Sequence, residues 1–173
     1  MLKAFLISLF VIGNAYALPM TWNLNGVTLQ DSTTLSGSFT YDPDTSTVTN
    51  FNLVTQSAGS FVAKTYDSSA GHTVSATSAS DFTFYPHSST PYTYVLRIRF
   101  AQPLSSAGGN ILISTGGYAS YECLNCAPVR EITSGSVNAT PPTPAAIPTL
   151  GEWAMIFMAS LMAIFAIRRM RRQ

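Results

Sequence analysis

The chain has 173 residues, of which 10% are charged, 46% hydrophobic and 12% aromatic, and its formal net charge is +1. A charged fraction far below the usual ~25%, combined with abundant aromatic and β-branched residues, excludes an intrinsically disordered chain. Between Leu18 and Pro148 four cations (Lys64, Arg97, Arg99, Arg130) face seven anions (Asp31, Asp42, Asp44, Asp67, Asp81, Glu122, Glu131), which excludes a basic nucleic-acid footprint.

The chain opens "MLKAFLISLFVIGNAYA". Lys3 supplies a positive charge, an apolar run follows to Ile12, Gly13 and Asn14 break it, and Ala15-Tyr16-Ala17 is a small-x-small cleavage site. This is the pattern of a secretory signal peptide, so residues 1–17 are expected to be removed between Ala17 and Leu18. The apolar run is too short to cross a bilayer of ~30 Å at about 1.5 Å per residue.

From Met20 to Val137 the apolar period is two, which predicts strands. Strands are expected at 21–29, 60–66, 81–85, 110–114, 117–122 and 129–137. "LSGSFTYDPDTSTVTNFNLV" reads as a hairpin with Leu35, Phe39 and Tyr41 on one face, and Asp42-Pro43-Asp44 supplies its turn chemistry. Asp42 and Asp44 also admit a calcium site, although the carboxylates and glycine of an EF-hand loop are missing. In "YTYVLRIRF", Tyr92, Tyr94, Leu96, Ile98 and Phe100 are expected to face a core. Arg97 and Arg99 then lie on the opposite, solvated face, where an anion-binding stripe is the alternative. Many short strands separated by Gly-, Ser- and Pro-rich turns predict an all-β fold, an antiparallel β-sandwich of jelly-roll type over residues 18–137.

Export places the two cysteines, Cys123 and Cys126 in "YECLNCAP", in an oxidising compartment. A local disulfide is expected first. Free thiols are the second reading, and metal or redox chemistry the third. No metal or other cofactor is expected. His72 and His87 lie far from the cysteines in sequence and without ligand spacing. No nucleophile elbow, HExxH pair or glycine-rich phosphate loop is present, so no catalytic residues are assigned and a non-enzymatic role is expected. A polysaccharide is the alternative partner, with Tyr85, Tyr92 and Tyr94 as the aromatic candidates.

Residues 138–148, "NATPPTPAAIP", read as an extended spacer. Trp153, a charge-free and almost wholly apolar run from Ala154 to Ile167, and Arg168, Arg169, Arg171 and Arg172 follow. As a helix the 14 residues of that run reach only about 21 Å, a marginal span that Trp153 and snorkelling arginines can extend. The arginine excess places the C-terminus in the cytoplasm and the β domain outside.

Ile147-Pro148-Thr149-Leu150, then Trp153, an apolar helix over 153–167 and the arginine tail resemble the IPTL-CTERM sorting signal, a relative of the PEP-CTERM signals of Gram-negative bacteria. The resemblance covers residues 147–173, with Ala154 standing where the family usually has Gly. Together with the N-terminal segment, which is expected to engage the Sec translocon and signal peptidase, it implies transient anchoring in the inner membrane. It also implies processing by an exosortase, a membrane-embedded cysteine transpeptidase, on the way to the envelope, cell surface or extracellular medium. "WNLNGVTL" followed by "LSGSFTYDPDTSTVTNFNL" is similar to the opening of exported β domains that carry such tags. That second resemblance implies a β fold and no particular activity.

Overall fold

A computed structural model describes residues 18–86, 93–141 and 150–171. Residues up to Pro142 and residues from Thr143 onward form two separate units.

The first unit's described strands are all antiparallel, and it has one short 3-10 turn at Ser68–Ala70. Its strands are β1 (Met20–Leu29), β2 (Thr34–Asp42), β3 (Thr47–Thr55), β4 (Lys64–Asp67), β5 (Thr73–Ser78), β6 (Asp81–Tyr85), β7 (Tyr94–Arg99), β8 (Gly109–Leu112), β9 (Tyr121–Leu124) and β10 (Val129–Ala139). They form one sheet in the order β4-β3-β2-β1-β10-β9-β7-β6-β5, and β8 adds to β10. The sheet curls into a half-barrel, so the expected sandwich takes the form of one sheet facing itself. Phe39 of β2 meets Phe82 of β6 edge-on with ring centroids 5.5 Å apart, and Phe51 of β3 meets Phe84 at 5.2 Å. Trp22, Tyr41, Leu53, Leu96, Ile98 and Ile132 complete the core between the two layers.

The hinge of the curl is β10. Its first half, Val129–Glu131, pairs with β9, and its later residues Ser136–Ala139 pair with β8. Along its other edge β10 pairs with β1. Gly135 stands between these halves at φ +132°, and a Cβ there would lie 2.6 Å from Val27 Cα. Glycine is therefore required where β1 and the bent β10 cross closely.

Inward positions follow the period-two pattern, but the phase slips at bulges. In β1 the buried residues are Met20 and Trp22, then Val27 and Leu29. The slip falls at Asn25-Gly26, where the register to β2 and β10 shifts and Gly26 has φ +59°. One extra residue exchanges the faces of everything beyond it.

Several boundaries differ from those expected. β5 has no counterpart in the sequence reading, because Thr-Val-Ser-Ala-Thr-Ser at a sheet edge half-buries just Val74 and Ala76. The strand expected at 60–66 starts at Lys64, after an isolated bridge from Ala58 to Phe61. The strand expected from Gly117 starts at Tyr121, since Gly116, Gly117 and Tyr118 all have positive φ and form a turn. β10 runs past Val137 to Ala139, taking in two residues assigned to the spacer. Both retain a backbone N–H to give the ladder, and the prolines begin at Pro141.

The second unit is α1 (Leu150–Met170), 21 residues long. At 1.5 Å per residue it reaches about 31 Å, against the 21 Å of the apolar run alone. Helical hydrogen bonding extends the element in both directions beyond that run, into the sorting motif and into the arginines.

Candidate functional site

The C-terminal unit carries the sequence-assigned sorting residues. Ile147, Pro148, Thr149 and Arg172 lie outside the described residues, as does the whole 1–17 segment with Ala17, whereas Leu18 is described and exposed. Leu150 is the first residue of α1. Trp153 stands one turn in and is exposed, and so are Met155, Ile156, Phe157 and Met158 after it. Apolar side chains circle this helix instead of forming one stripe, the property of a helix meant for an apolar medium. The stretch Trp153–Met170 is long and apolar enough to cross a membrane, with none of it buried within the protein. Ser160 turns its hydroxyl back onto the Ile156 carbonyl at 2.7 Å, which satisfies that donor without water. Arg168 and Arg169 occupy the last turn and the Arg171 N–H reaches the Ile167 carbonyl. Cations at a helix C-terminus complement its dipole.

In the β unit the most concentrated polar group is one the sequence reading did not single out. Glu122 and Arg130 are buried and directly opposite in register on β9 and β10. Arg130 Nε and Nη2 donate to Glu122 Oε2 at 2.8 and 2.5 Å, Nη1 donates to Asp31 at 2.6 Å and to Thr33 at 3.1 Å, and Nη2 donates to the Gln56 carbonyl at 2.8 Å. Tyr66 and Thr55 donate to the other carboxylate oxygen at 2.7 and 3.0 Å. The guanidinium also lies over the Phe61 ring at 4.5 Å. Every N–H of Arg130 thus has a protein acceptor. The group fastens the segment after β3 to β10 and is not poised to hold a ligand. The signal was present: Arg130 shares parity with Ile132, and charged residues at core parity mark a buried pair.

Arg97 and Arg99 do lie on the outer face, as expected, but they are not simply solvated. Asp81 stands between them, taking Arg97 Nε and Nη2 at 3.0 and 2.6 Å and Arg99 Nε at 2.9 Å. The Arg97 bonds hold the Asp81 carboxyl below its ordinary value, against the opposing effect of burial, and Arg99 lowers it further.

The other sequence candidates divide. Asp42 Oδ1 accepts from the Asp44 N–H at 2.9 Å and closes the hairpin turn. That is the turn role read from the sequence, and it engages the carboxylate that a cation would need. Among the described residues no cluster of three or more His, Cys, Asp or Glu could hold a metal ion. His72 accepts the Asp67 N–H on Nδ1 at 2.9 Å, pinning the link between β4 and β5. His87 and Tyr92 are not among the described residues. Tyr94 is buried, accepts the Val62 N–H at 3.2 Å and carries Lys64 over its ring, and Tyr85 is half-buried. An exposed aromatic platform is therefore not formed by these two tyrosines.

Cys123 and Cys126 are free thiols in the structure, so the expected bridge is not formed there. Cys123 is buried in β9 and Cys126 is exposed on the following turn, where Asn125 and Cys126 both have positive φ. Burial, together with its neighbour Cys126, pushes the Cys123 thiol up to about 12.

Residues 145–172 match the family model for the IPTL-CTERM motif. No curated protein and no solved structure matches the chain. The matched segment takes in Leu150, Trp153, all of α1 and the arginines through Arg172. The chain therefore carries an IPTL-CTERM motif as its C-terminal segment, the mark of an IPTL-CTERM sorting-domain protein.

Proposed function

We propose that this chain is a non-enzymatic exported protein, addressed by its C-terminal segment to the cell envelope, surface or extracellular matrix of a Gram-negative bacterium. The observation that carries this reading is the motif match over residues 145–172. On this reading the first 17 residues engage the Sec translocon, and signal peptidase cuts after Ala17. The β unit crosses and α1 halts in the inner membrane. Its arginines stay in the cytoplasm because each would cost about 2.5–3.5 kcal/mol at the bilayer centre. The Ile147–Leu150 segment then stands at the outer interface, and Pro148 disfavours helix in the residue before it. On this reading that segment is the substrate of an exosortase.

The arginines and the motif then have separable roles. Changing Arg168, Arg169, Arg171 and Arg172 to Ser should release uncleaved protein from the membrane. Changing Pro148 and Thr149 to Ala should leave uncleaved protein bound to it. Wild-type processing and localisation of both variants would overturn the reading.

A second reading keeps the helix. The stretch Trp153–Met170, long and apolar enough to cross a membrane, supports a permanent single-pass anchor displaying a carbohydrate-binding or adhesin-like β unit. Retention of Gln173 in the mature protein distinguishes it.

A further inference from the structure

On the outer face of the sheet, Arg97 and Arg99 of β7, Tyr121 of β9, and Tyr118 and Cys126 from the flanking turns border an open depression of about 370 Å³. Tyr118 is the unusual member. It is 61% exposed, and it follows Gly116 and Gly117 in a run of three positive φ values, 75°, 58° and 58°. A bulky aromatic residue rarely takes that conformation. The turn is nevertheless well fixed. The Ala119 N–H closes onto the Gly116 carbonyl at 3.1 Å. The buried Ser120 hydroxyl accepts the Arg99 N–H at 2.8 Å and ties the turn to β7. A strained backbone that holds a large apolar ring out in water invites a functional account.

The neighbours supply one. Asp81 sits between the two guanidiniums, so two cations face one anion, and half of the Arg99 side chain remains exposed. Glu131 stands opposite Tyr121 on β10, which leaves the positive excess at the β7 end of the depression. A rigid, exposed ring offers a stacking face for the apolar side of a sugar. Planar guanidinium and carboxylate forks match paired hydroxyl and carboxylate oxygens. We propose that this depression binds an anionic saccharide of the uronate type, with the sugar ring on Tyr118 and its carboxylate at Arg99. The site is independent of the sorting reading, since it belongs to the β unit alone.

The full chain in detergent micelles should be titrated calorimetrically with oligogalacturonate and with maltohexaose. Oligogalacturonate should bind, and the uncharged maltohexaose should bind more weakly by about tenfold or more. Tyr118→Gly, which takes the same φ without strain, and Arg99→Gln should each weaken oligogalacturonate binding by about tenfold or more. Circular dichroism should show both variants folded. If Arg99→Gln unfolds, Tyr118→Gly alone decides. Absence of oligogalacturonate binding, equal binding of maltohexaose, or wild-type affinity in Tyr118→Gly would overturn the assignment.

Discussion

Arg130 and Glu122 face each other across β10 and β9, and two guanidinium nitrogens close on one carboxylate oxygen at 2.8 and 2.5 Å. Both side chains are out of water, at 3% and 0% exposure. Truncating one partner therefore strands the other charge in the core. Arg130→Met should cost about 3–5 kcal/mol, and Glu122→Leu a similar amount. The double variant should lose less than the sum of the two, because neither charge is left buried, while the Tyr66 and Thr55 hydroxyls and the Gln56 carbonyl still lose their partners. Urea unfolding of the four proteins closes this cycle. Simple additivity of the two losses would show that the pair is not coupled.

Asp81 makes the β unit sensitive to acid. The Arg97 fork lowers its carboxyl from the ordinary 3.8, despite burial acting the other way, and Arg99 adds to the effect. The unfolded chain then binds this proton more readily than the folded one. Its contribution is fully present above about pH 4 and is lost as the pH falls through the folded value. Asp31, Asp42 and Asp67 are lowered as well. Asp81→Asn should therefore make the acid loss shallower without abolishing it. Urea midpoints measured from neutral pH downward should show this, and an unchanged slope would contradict it.

The two cysteines should differ in reactivity while reduced. Cys126 is exposed, whereas Cys123 is buried with its thiol pushed up to about 12. Maleimide at neutral pH should label Cys126 in the native protein and reach Cys123 after denaturation. We further expect mild oxidation to join them, after which neither labels. The closed loop is short, so the gain should be about 2 kcal/mol. Equal labelling of both cysteines in the reduced native protein would contradict this burial pattern.

Gly135 and Gly26 offer a matched pair. A Cβ at Gly135 meets Val27 Cα at 2.6 Å, whereas a Cβ at Gly26 meets nothing within 4 Å. Both have positive φ. Gly26→Ala should thus cost about 1–2 kcal/mol from the backbone alone. Gly135→Ala should cost about 2–5 kcal/mol, because close contact adds to strain. Similar melting temperatures for the two variants would mean that β10 bends elsewhere.

The sequence showed the class of fold because inward alternation survives along most strands. Leu35, Phe39 and Tyr41 are buried together as expected, and so are Tyr94, Leu96, Ile98 and Phe100. Bulges hid the rest: nothing in local composition says where Asn25-Gly26 or Gly135 changes the phase. β5 was missed because an edge strand buries too little to carry a pattern. The parity of Arg130 with Ile132 marked a buried charge, but its partners Asp31 and Gln56 are far away in sequence and meet it through strand pairing alone. Local order made the C-terminal segment legible: Ile147 to Leu150, Trp153, an apolar run and four arginines lie in one continuous stretch. The tyrosine turn at Tyr118 escaped notice because its meaning lies in a backbone conformation.

The central claim is that α1 is an address and not a lasting anchor. The most direct measurement is the C-terminus of the mature protein, read by mass spectrometry from cells with and without the exosortase. The account predicts a chain ending before Trp153 when the exosortase is present, and a chain still carrying Gln173 when it is absent. An intact Gln173 in both would contradict it.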